Sequence, residues 1–203
     1  MSALSDQKRI AGYYDDLVEK YGQDPRASDA SKQESLDVRY RALSEVMNLD
    51  GKSVLDVGCA QGGFGAYLEK EFSLKSYLGI DISARMIDEA KKLHPALEFQ
   101  NVNVLDLPEE KKYDVVLAEG IFYLLGEDAE EKMHTLIEKM YGLSSEAFAC
   151  SGISSWHPHQ EPNEYYIDPP KLAEWARKLS PFLTVRHDYH HGDCTLYLYR
   201  EKR

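Results

Sequence analysis

Cysteine is scarce in this 203-residue chain: Cys59, Cys150 and Cys194 are too few and too scattered for a disulfide framework or a zinc ribbon, and they read as free thiols. No apolar run reaches the length of a membrane span, and residues 1–25 mix charges with tyrosines where a signal peptide would carry an apolar core. Basic charge is short as well. With 24 Lys and Arg against 35 Asp and Glu the formal net charge is −11, which disfavours adhesion to nucleic acid or to an anionic membrane except through a local basic patch. Internal repeats, low-complexity tracts and linkers are also missing. What is left is a single cytoplasmic domain, residues 1–203, long enough to bury an ample core without staples.

Ile10, Tyr13, Tyr14, Leu17, Val18 and Tyr21 recur at helical spacing and predict an amphipathic helix ending near Gly22. Ser31-Lys32-Gln33-Glu34 has the form of a capping box, and Leu36, Tyr40, Leu43 and Met47 continue one face of a second helix. A first strand follows the Asp50-Gly51 turn, and further strands are expected near 76–80, 98–102, 113–118 and 145–151, with helices between them. Ala129, Met133, Leu136, Ile137 and Met140 form a helical stripe closed by Gly142, and Asp168-Pro169 starts a helix that buries Leu172, Trp175, Ala176 and Leu179. The last two strands, Phe182 to Tyr189 and Cys194 to Tyr199, are separated only by His190-His191-Gly192-Asp193. So short a connection cannot make a parallel crossover and demands an antiparallel hairpin.

Val54 to Gly65 read V-L-D-V-G-C-A-Q-G-G-F-G, an apolar strand that stops on an acid, turns through glycines and opens a helix at Phe64, Tyr67 and Leu68. Gly58 and Gly62 let the backbone turn tightly and approach a nucleotide-like ligand. Asp56 is the more selective feature, because a carboxylate at the mouth of such a loop repels a pyrophosphate by roughly 1 to 4 kcal/mol and attracts a cation. In Tyr77-Leu78-Gly79-Ile80-Asp81-Ile82-Ser83, Asp81 stands about 20 residues past the glycines, the offset at which an acid ending the second strand reaches ribose hydroxyls. Ser83 then reads as the N-cap of a helix presenting Met86, Ile87 and Ala90 on one face.

These residues resemble the first two motifs of the class I S-adenosylmethionine-dependent methyltransferases of the small-molecule type, with Ala60 where the middle glycine of D-x-G-C-G-x-G is usual. The family's third element commonly reads D-x-x-x-L-P; Leu107-Pro108 sets its register and puts Asn103 in the slot that contacts adenine, with Asp106 as second choice. The resemblance covers residues 50–125 in motif detail. It implies an α/β, Rossmann-like three-layer sandwich: a mostly parallel seven-stranded sheet with the last strand antiparallel, residues 1–49 a helical cover and 50–203 the core. It further implies S-adenosylmethionine (SAM) as cofactor and S-adenosylhomocysteine (SAH) as product. The cofactor residues it implies are Asp56, Gly58, Cys59, Ala60, Gly62, Asp81, Ile82, Met86, Asn103, Val104 and the backbone at Glu119; Arg39 and Tyr14 are added as candidate cover residues, with a solvated helix charge and a core tyrosine as their plainer readings.

Ligands in open α/β sheets bind outside the carboxyl ends of the strands, an edge that here collects Asp56, Asp81, Asn103, Glu119, Ser151 and His187 to His190. Methyl transfer from a sulfonium is an in-line displacement, and a hydroxyl acceptor gains about 10² to 10⁴ from a general base. The candidates are His187, His190 and Glu119. Each has a plainer reading: His187 as an outward residue of an edge strand, His190 with His191 as solvated turn residues, and Glu119 as a carboxylate held by backbone N–H groups. Trp156-His157-Pro158-His159 with Tyr165 and Tyr166 occupies the place of the family's variable substrate loop, and it lacks the cysteine or fixed carboxylate that would complete a zinc site, so no metal is expected. The implied function is methyl transfer from SAM to the O- or N-nucleophile of a small-molecule acceptor. Competing readings are a methyltransferase acting on protein or RNA, a SAM-binding protein without catalysis, and a nicotinamide oxidoreductase. The last is favoured only by G-x-A-x-x-G from Gly58 to Gly63 and opposed by Asp56 and the terminal hairpin. Neither a nucleic-acid nor a membrane partner is expected, and the sequence specifies neither acceptor nor oligomeric state.

Overall fold

The computed structural model describes residues 3–28 and 33–203; Ser31 and Lys32 of the expected capping box lie outside them. Seven strands form one sheet in the order β3-β2-β1-β4-β5-β7-β6. They are β1 (Ser53–Val57), β2 (Ser76–Asp81), β3 (Glu98–Asn101), β4 (Tyr113–Glu119), β5 (Ser144–Ile153), β6 (Leu183–Arg186) and β7 (Asp193–Tyr199). Neighbours pair in parallel except β7, which runs antiparallel to both β5 and β6. The helices are α1 (Ala3–Tyr21), α2 (Gln33–Ser44), α3 (Gly63–Glu71), α4 (Ala84–Leu93), α5 (Ala129–Leu143) and α6 (Pro169–Ala176). Ser83 caps α4 by accepting from the Met86 N–H at 3.0 Å, and Asp168 caps α6 by accepting from Lys171 N–H at 3.1 Å, with Pro169 in the first turn.

Strand periodicity sorts the core into two layers. Leu55, Val57, Leu78, Ile80, Val116, Ala118, Phe148, Cys150, Leu196 and Leu198 point to the face covered by α5 and α6. Val54, Tyr77, Val115, Leu117, Ala147, Ala149 and Tyr197 point to the opposite face, packed by α2, α3 and α4. Continued to the carboxyl ends of the parallel strands, the second alternation puts Asp56, Asp81, Glu119 and Ser151 on the α2 side of the sheet. Asp193 and Thr195 join them, because β7 is reversed and its first residues lie beside the last of β5: Ser151 pairs with Thr195 and Ile153 with Asp193. One face of one sheet end thus gathers most of the buried polar side chains of the strands, all nearly inaccessible to solvent except the partly exposed Asp81 and Glu119.

Three boundaries differ from the sequence expectations. The chain leaves β6 after Arg186 and starts β7 at Asp193, so the hairpin connection is residues 187–192 and His187 to His190 lie in it rather than in a strand tail. Helix α5 runs through Gly142 to Leu143 and passes directly into β5, so that glycine does not close it. Helix α2 ends at Ser44, three residues before Met47. Among the described residues no helix is long and apolar enough to cross a membrane.

Candidate functional site

The turn after β1 is shaped by its backbone. Gly58 (φ +75°) and Gly62 (φ +83°) occupy the left-handed region, and a Cβ on either would come within 2.3 Å of Ile121 and 2.6 Å of Phe99 respectively. Ala60 sits at φ +47° without glycine's freedom. It is held there by Asp81, whose Oδ2 accepts the Ala60 N–H at 3.0 Å while Oδ1 accepts that of Ser83 at 2.8 Å. Left-handed backbone disfavours an L-residue by roughly 1–2 kcal/mol, partly offset by the greater freedom of glycine in the unfolded chain. Ala60→Gly should therefore leave the melting temperature unchanged or raise it by a few degrees, read by thermal denaturation; a clear drop would show that the methyl group makes a contact the loop depends on.

Below and beside this loop lies a cavity of about 790 Å³ at the carboxyl end of the sheet, within the range of small-molecule and cofactor sites. Gly58, Cys59, Ala60, Gln61 and Gly63 of the glycine loop, with Asp81, Ile82 and Met86, form one wall, and Asn103 and Val104 the next, while Gly62 turns toward Phe99 and does not line the cavity. Asn103 reaches the cavity, with its Oδ1 accepting from Leu105 N–H at 3.0 Å and its Nδ2 donating to Gln7 at 3.2 Å; Asp106 is exposed and does not line it. Helix α1 closes the top, placing Asp6, Gln7, Ile10 and Tyr14 on the roof. It is fastened by polar contacts: Ser83 Oγ donates to Asp15 at 2.6 Å, Gln61 Nε2 to the Gly22 carbonyl at 2.7 Å, Lys132 pairs with Asp6 at 2.7 Å, and the Tyr14 and Tyr123 hydroxyls meet at 2.8 Å.

Asp56 forms part of the lining but is 1% exposed, lower in the site than a carboxylate at the mouth of the loop. Tyr77, which the sequence reading did not select, donates its hydroxyl to Asp56 at 2.7 Å. Burial pushes the Asp56 carboxyl up to about 7; the Tyr77 hydrogen bond opposes this and the charges of Glu119 and Asp81 add to it. Burial likewise lifts Asp81 to about 6, against the backbone donors of Ser83, Ala60 and Ile82. Glu119 is raised by burial, countered by Arg39 and reinforced by Asp193. Cys59 is buried, its thiol raised by burial and by Asp81 and Asp56.

At the far end Arg39 of α2 binds Asp193 through Nε at 2.6 Å and faces Glu119 at 3.8 Å. Asp193 is nearly inaccessible and also meets His190 Nδ1 at 3.0 Å. His190 thus stands behind Asp193, and neither it nor His187 lines the cavity, whereas Glu119 does. Burial keeps His190 below the usual histidine range despite the pull of Asp193. The His187 ring tilts against Trp156 at 4.8 Å, and its Nε2 is buried with no partner among the described residues. Sequence reasoning missed Asp193 because it was read as a turn residue; the alternation Asp193, Thr195, Tyr197 against Cys194, Leu196, Leu198 is the signal that places it on a strand. Among the described residues no group of three or more His, Cys, Asp and Glu side chains is arranged to hold a metal ion.

Residues 54–142 match a protein-family model described as a methyltransferase domain. A phthiotriol/phenolphthiotriol dimycocerosates methyltransferase of Mycobacterium tuberculosis is 34% identical over 106 residues, 48% of this chain and 39% of that protein. A fatty-acid O-methyltransferase of Mycolicibacterium smegmatis is 35% identical over 81 residues, 38% of this chain and 30% of that protein. The chain therefore spans well under half the length of these curated relatives. Among solved structures, a magnesium protoporphyrin IX methyltransferase from Synechocystis with bound SAM superposes with a TM-score of 0.71 at 18% identity, covering 99% of this chain and 100% of that one. At such identity the likeness speaks for the fold, and it extends across the sheet and both helical layers. Residues 54–142 are thus similar to a methyltransferase domain, and the chain as a whole shares the Rossmann-like fold of the superposed structure.

Proposed function

We propose that the cavity binds SAM and that the protein transfers its methyl group to a small-molecule acceptor by in-line displacement, leaving SAH. The observation that carries this reading is the chemistry of the lining: eight acidic against two basic side chains surround a left-handed glycine turn whose neighbour, Asp81, is pinned at the end of β2. Such a cavity repels a dinucleotide's diphosphate and suits a ligand bearing an ammonium and a sulfonium. Bound there, SAM would supply an electrophilic methyl group on sulfur. In this reading Asp81 accepts the ribose hydroxyls, and Asn103 with the Val104 backbone meets the adenine edge, flanked by Ile82 and Met86. Asp56 and the turn Gly58, Cys59, Ala60 and Gly62 hold the amino-acid end. Arg39 and Tyr14 cover the site, and Glu119 is the titratable group of the acceptor side; His187 and His190 support the wall from outside rather than act as bases.

Holding the nucleophile, the methyl carbon and sulfur collinear would supply roughly 7 to 11 kcal/mol of the barrier reduction through proximity alone. The relatives named for a lipid and a fatty acid support a small-molecule acceptor, and the acidic lining opposes a nucleic-acid substrate. A cytoplasmic setting belongs to the same reading, in keeping with three buried free thiols. Isothermal titration tests the proposal: SAM and SAH are expected to bind and NAD to give no heat, and the reverse preference would overturn it.

A further inference from the structure

The acceptor side of the cavity carries one hydroxyl with no partner among the described residues and, beside it, a carboxylate held by one long ion pair. Ser151 Oγ is buried and has no hydrogen-bond partner among the described residues, and Ser151 lines the cavity. Directly across the β4–β5 ladder stands Glu119. Among the described residues its carboxylate, 20% exposed, has only the Arg39 Nε at 3.8 Å, and that same nitrogen is committed to Asp193 at 2.6 Å. A partly exposed carboxylate held by one long ion pair has acceptor positions to spare, and a buried hydroxyl with no partner among the described residues leaves a desolvation penalty that a ligand can remove. The two basic side chains of the lining are both engaged, Arg39 with Asp193 and Lys132 with Asp6 at 2.7 Å. Arg39 balances only one of the two carboxylates beside it, so the compartment holds one negative charge in excess.

We propose that the acceptor is an amine, and that its nitrogen is received between the Glu119 carboxylate and the Ser151 hydroxyl at the ends of β4 and β5. The inference rests on the methyl-transfer reading and narrows its acceptor. An amine satisfies both groups at once, donating to Glu119 and, as an ammonium on entry, neutralising the surplus charge. A carboxylate acceptor meets repulsion from Glu119 and Asp193, and the Arg39 guanidinium is already paired with Asp193. An alcohol gains the hydrogen bonds but not the charge attraction. The entering ammonium gives one proton to the Glu119 carboxylate, whose basicity burial and Asp193 raise against the pull of Arg39, and becomes a neutral amine. Its lone pair then forms the N–C bond while the C–S bond breaks with its electron pair left on sulfur. The positive charge passes from sulfur to nitrogen, and the N-methylated ammonium is released as Glu119 loses its proton to solvent.

The cofactor's own amino group has the same chemistry, so the test separates the two sources. A panel of amines, each matched to the alcohol and the carboxylate of the same carbon skeleton, is titrated calorimetrically into the protein saturated with SAH, for wild type, Glu119→Gln and Ser151→Ala. Amines are expected to bind more tightly than their partners, with that preference falling roughly tenfold or more in Glu119→Gln and roughly threefold to tenfold in Ser151→Ala, as loss of a charge-assisted and of a neutral hydrogen bond respectively. SAH affinity is expected to stay within about threefold of wild type in both, since the lost contact lies outside the cofactor. Melting curves confirm that both variants are folded. No amine outbinding its matched acid, or a tenfold loss of SAH affinity in Glu119→Gln, would overturn the assignment, the second by giving the carboxylate to the cofactor. Failure of the wild type to bind SAH at all would instead bring down the methyl-transfer reading beneath it.

Discussion

Asp81→Ala is expected to weaken SAH binding by roughly tenfold to a hundredfold, the loss of about 1.5 to 3 kcal/mol carried by hydrogen bonds to a charged group. The carboxylate has a double task. Its oxygens already accept the N–H groups of Ala60 and Ser83, yet a carboxylate has about four acceptor positions, leaving room for ribose hydroxyls. Removing it also strips the anchor from a left-handed alanine and leaves two partly buried donors unpaired, each worth about 1 to 3 kcal/mol. The same variant should therefore lower the melting temperature by several degrees in the absence of ligand. Calorimetry and thermal denaturation read the two effects separately. Loss of stability with unchanged SAH affinity would make Asp81 a brace for the loop and nothing more.

The second large effect concerns pH. Burial holds Asp56 up to about 7 and Asp81 up to about 6, both above their unfolded values near 3.8. Between those limits the folded protein binds more protons than the unfolded chain, so the stability from these groups is complete below about pH 4 and is lost as pH rises through 6 and 7. For Asp56 alone the difference is on the order of 4 kcal/mol, or roughly 10 °C in melting temperature for a chain of this size. Unliganded protein should thus melt lower at pH 8 than at pH 5. Affinity for SAM should move the other way, rising over the same interval as the carboxylates ionise, and rising more than affinity for SAH, which lacks the sulfonium charge. Asp56→Asn, which keeps an acceptor for Tyr77, should flatten both curves. A melting temperature that climbs steadily from pH 5 to pH 8 would contradict the assigned burial of these acids.

What the sequence made legible was local. The glycine turn, Asp81 and the Ser83 cap sit within a few residues of the strand ends that position them, so spacing along the chain equals placement in space. The reversed last strand was legible for the same reason, since a connection of a few residues admits no crossover. Register was not. Reading β7 as starting at Cys194 instead of Asp193 moved one residue from strand to turn, and with it the buried partner of Arg39, which lies 154 positions away in sequence. Reading β6 on to Tyr189 instead of ending it at Arg186 placed His187 to His190 at the cavity edge, whereas the connection from 187 to 192 carries His190 behind Asp193. Ser151 was visible as a strand-end residue, but that its hydroxyl has no partner among the described residues follows only from its burial between β4 and β7. Likewise Asp56 could be read as an acid next to glycines, but its depth and its bond to Tyr77 depend on the pairing of β1 with β2.

A crystal structure of the protein grown with saturating SAH addresses the central claim most directly. The account predicts ribose hydroxyls on the Asp81 carboxylate, adenine beside Asn103 and Val104, and the homocysteine sulfur above the Gly58 turn, pointing toward Glu119 and Ser151. Density for SAH anywhere else, or a cavity filled only by solvent at saturation, would contradict it.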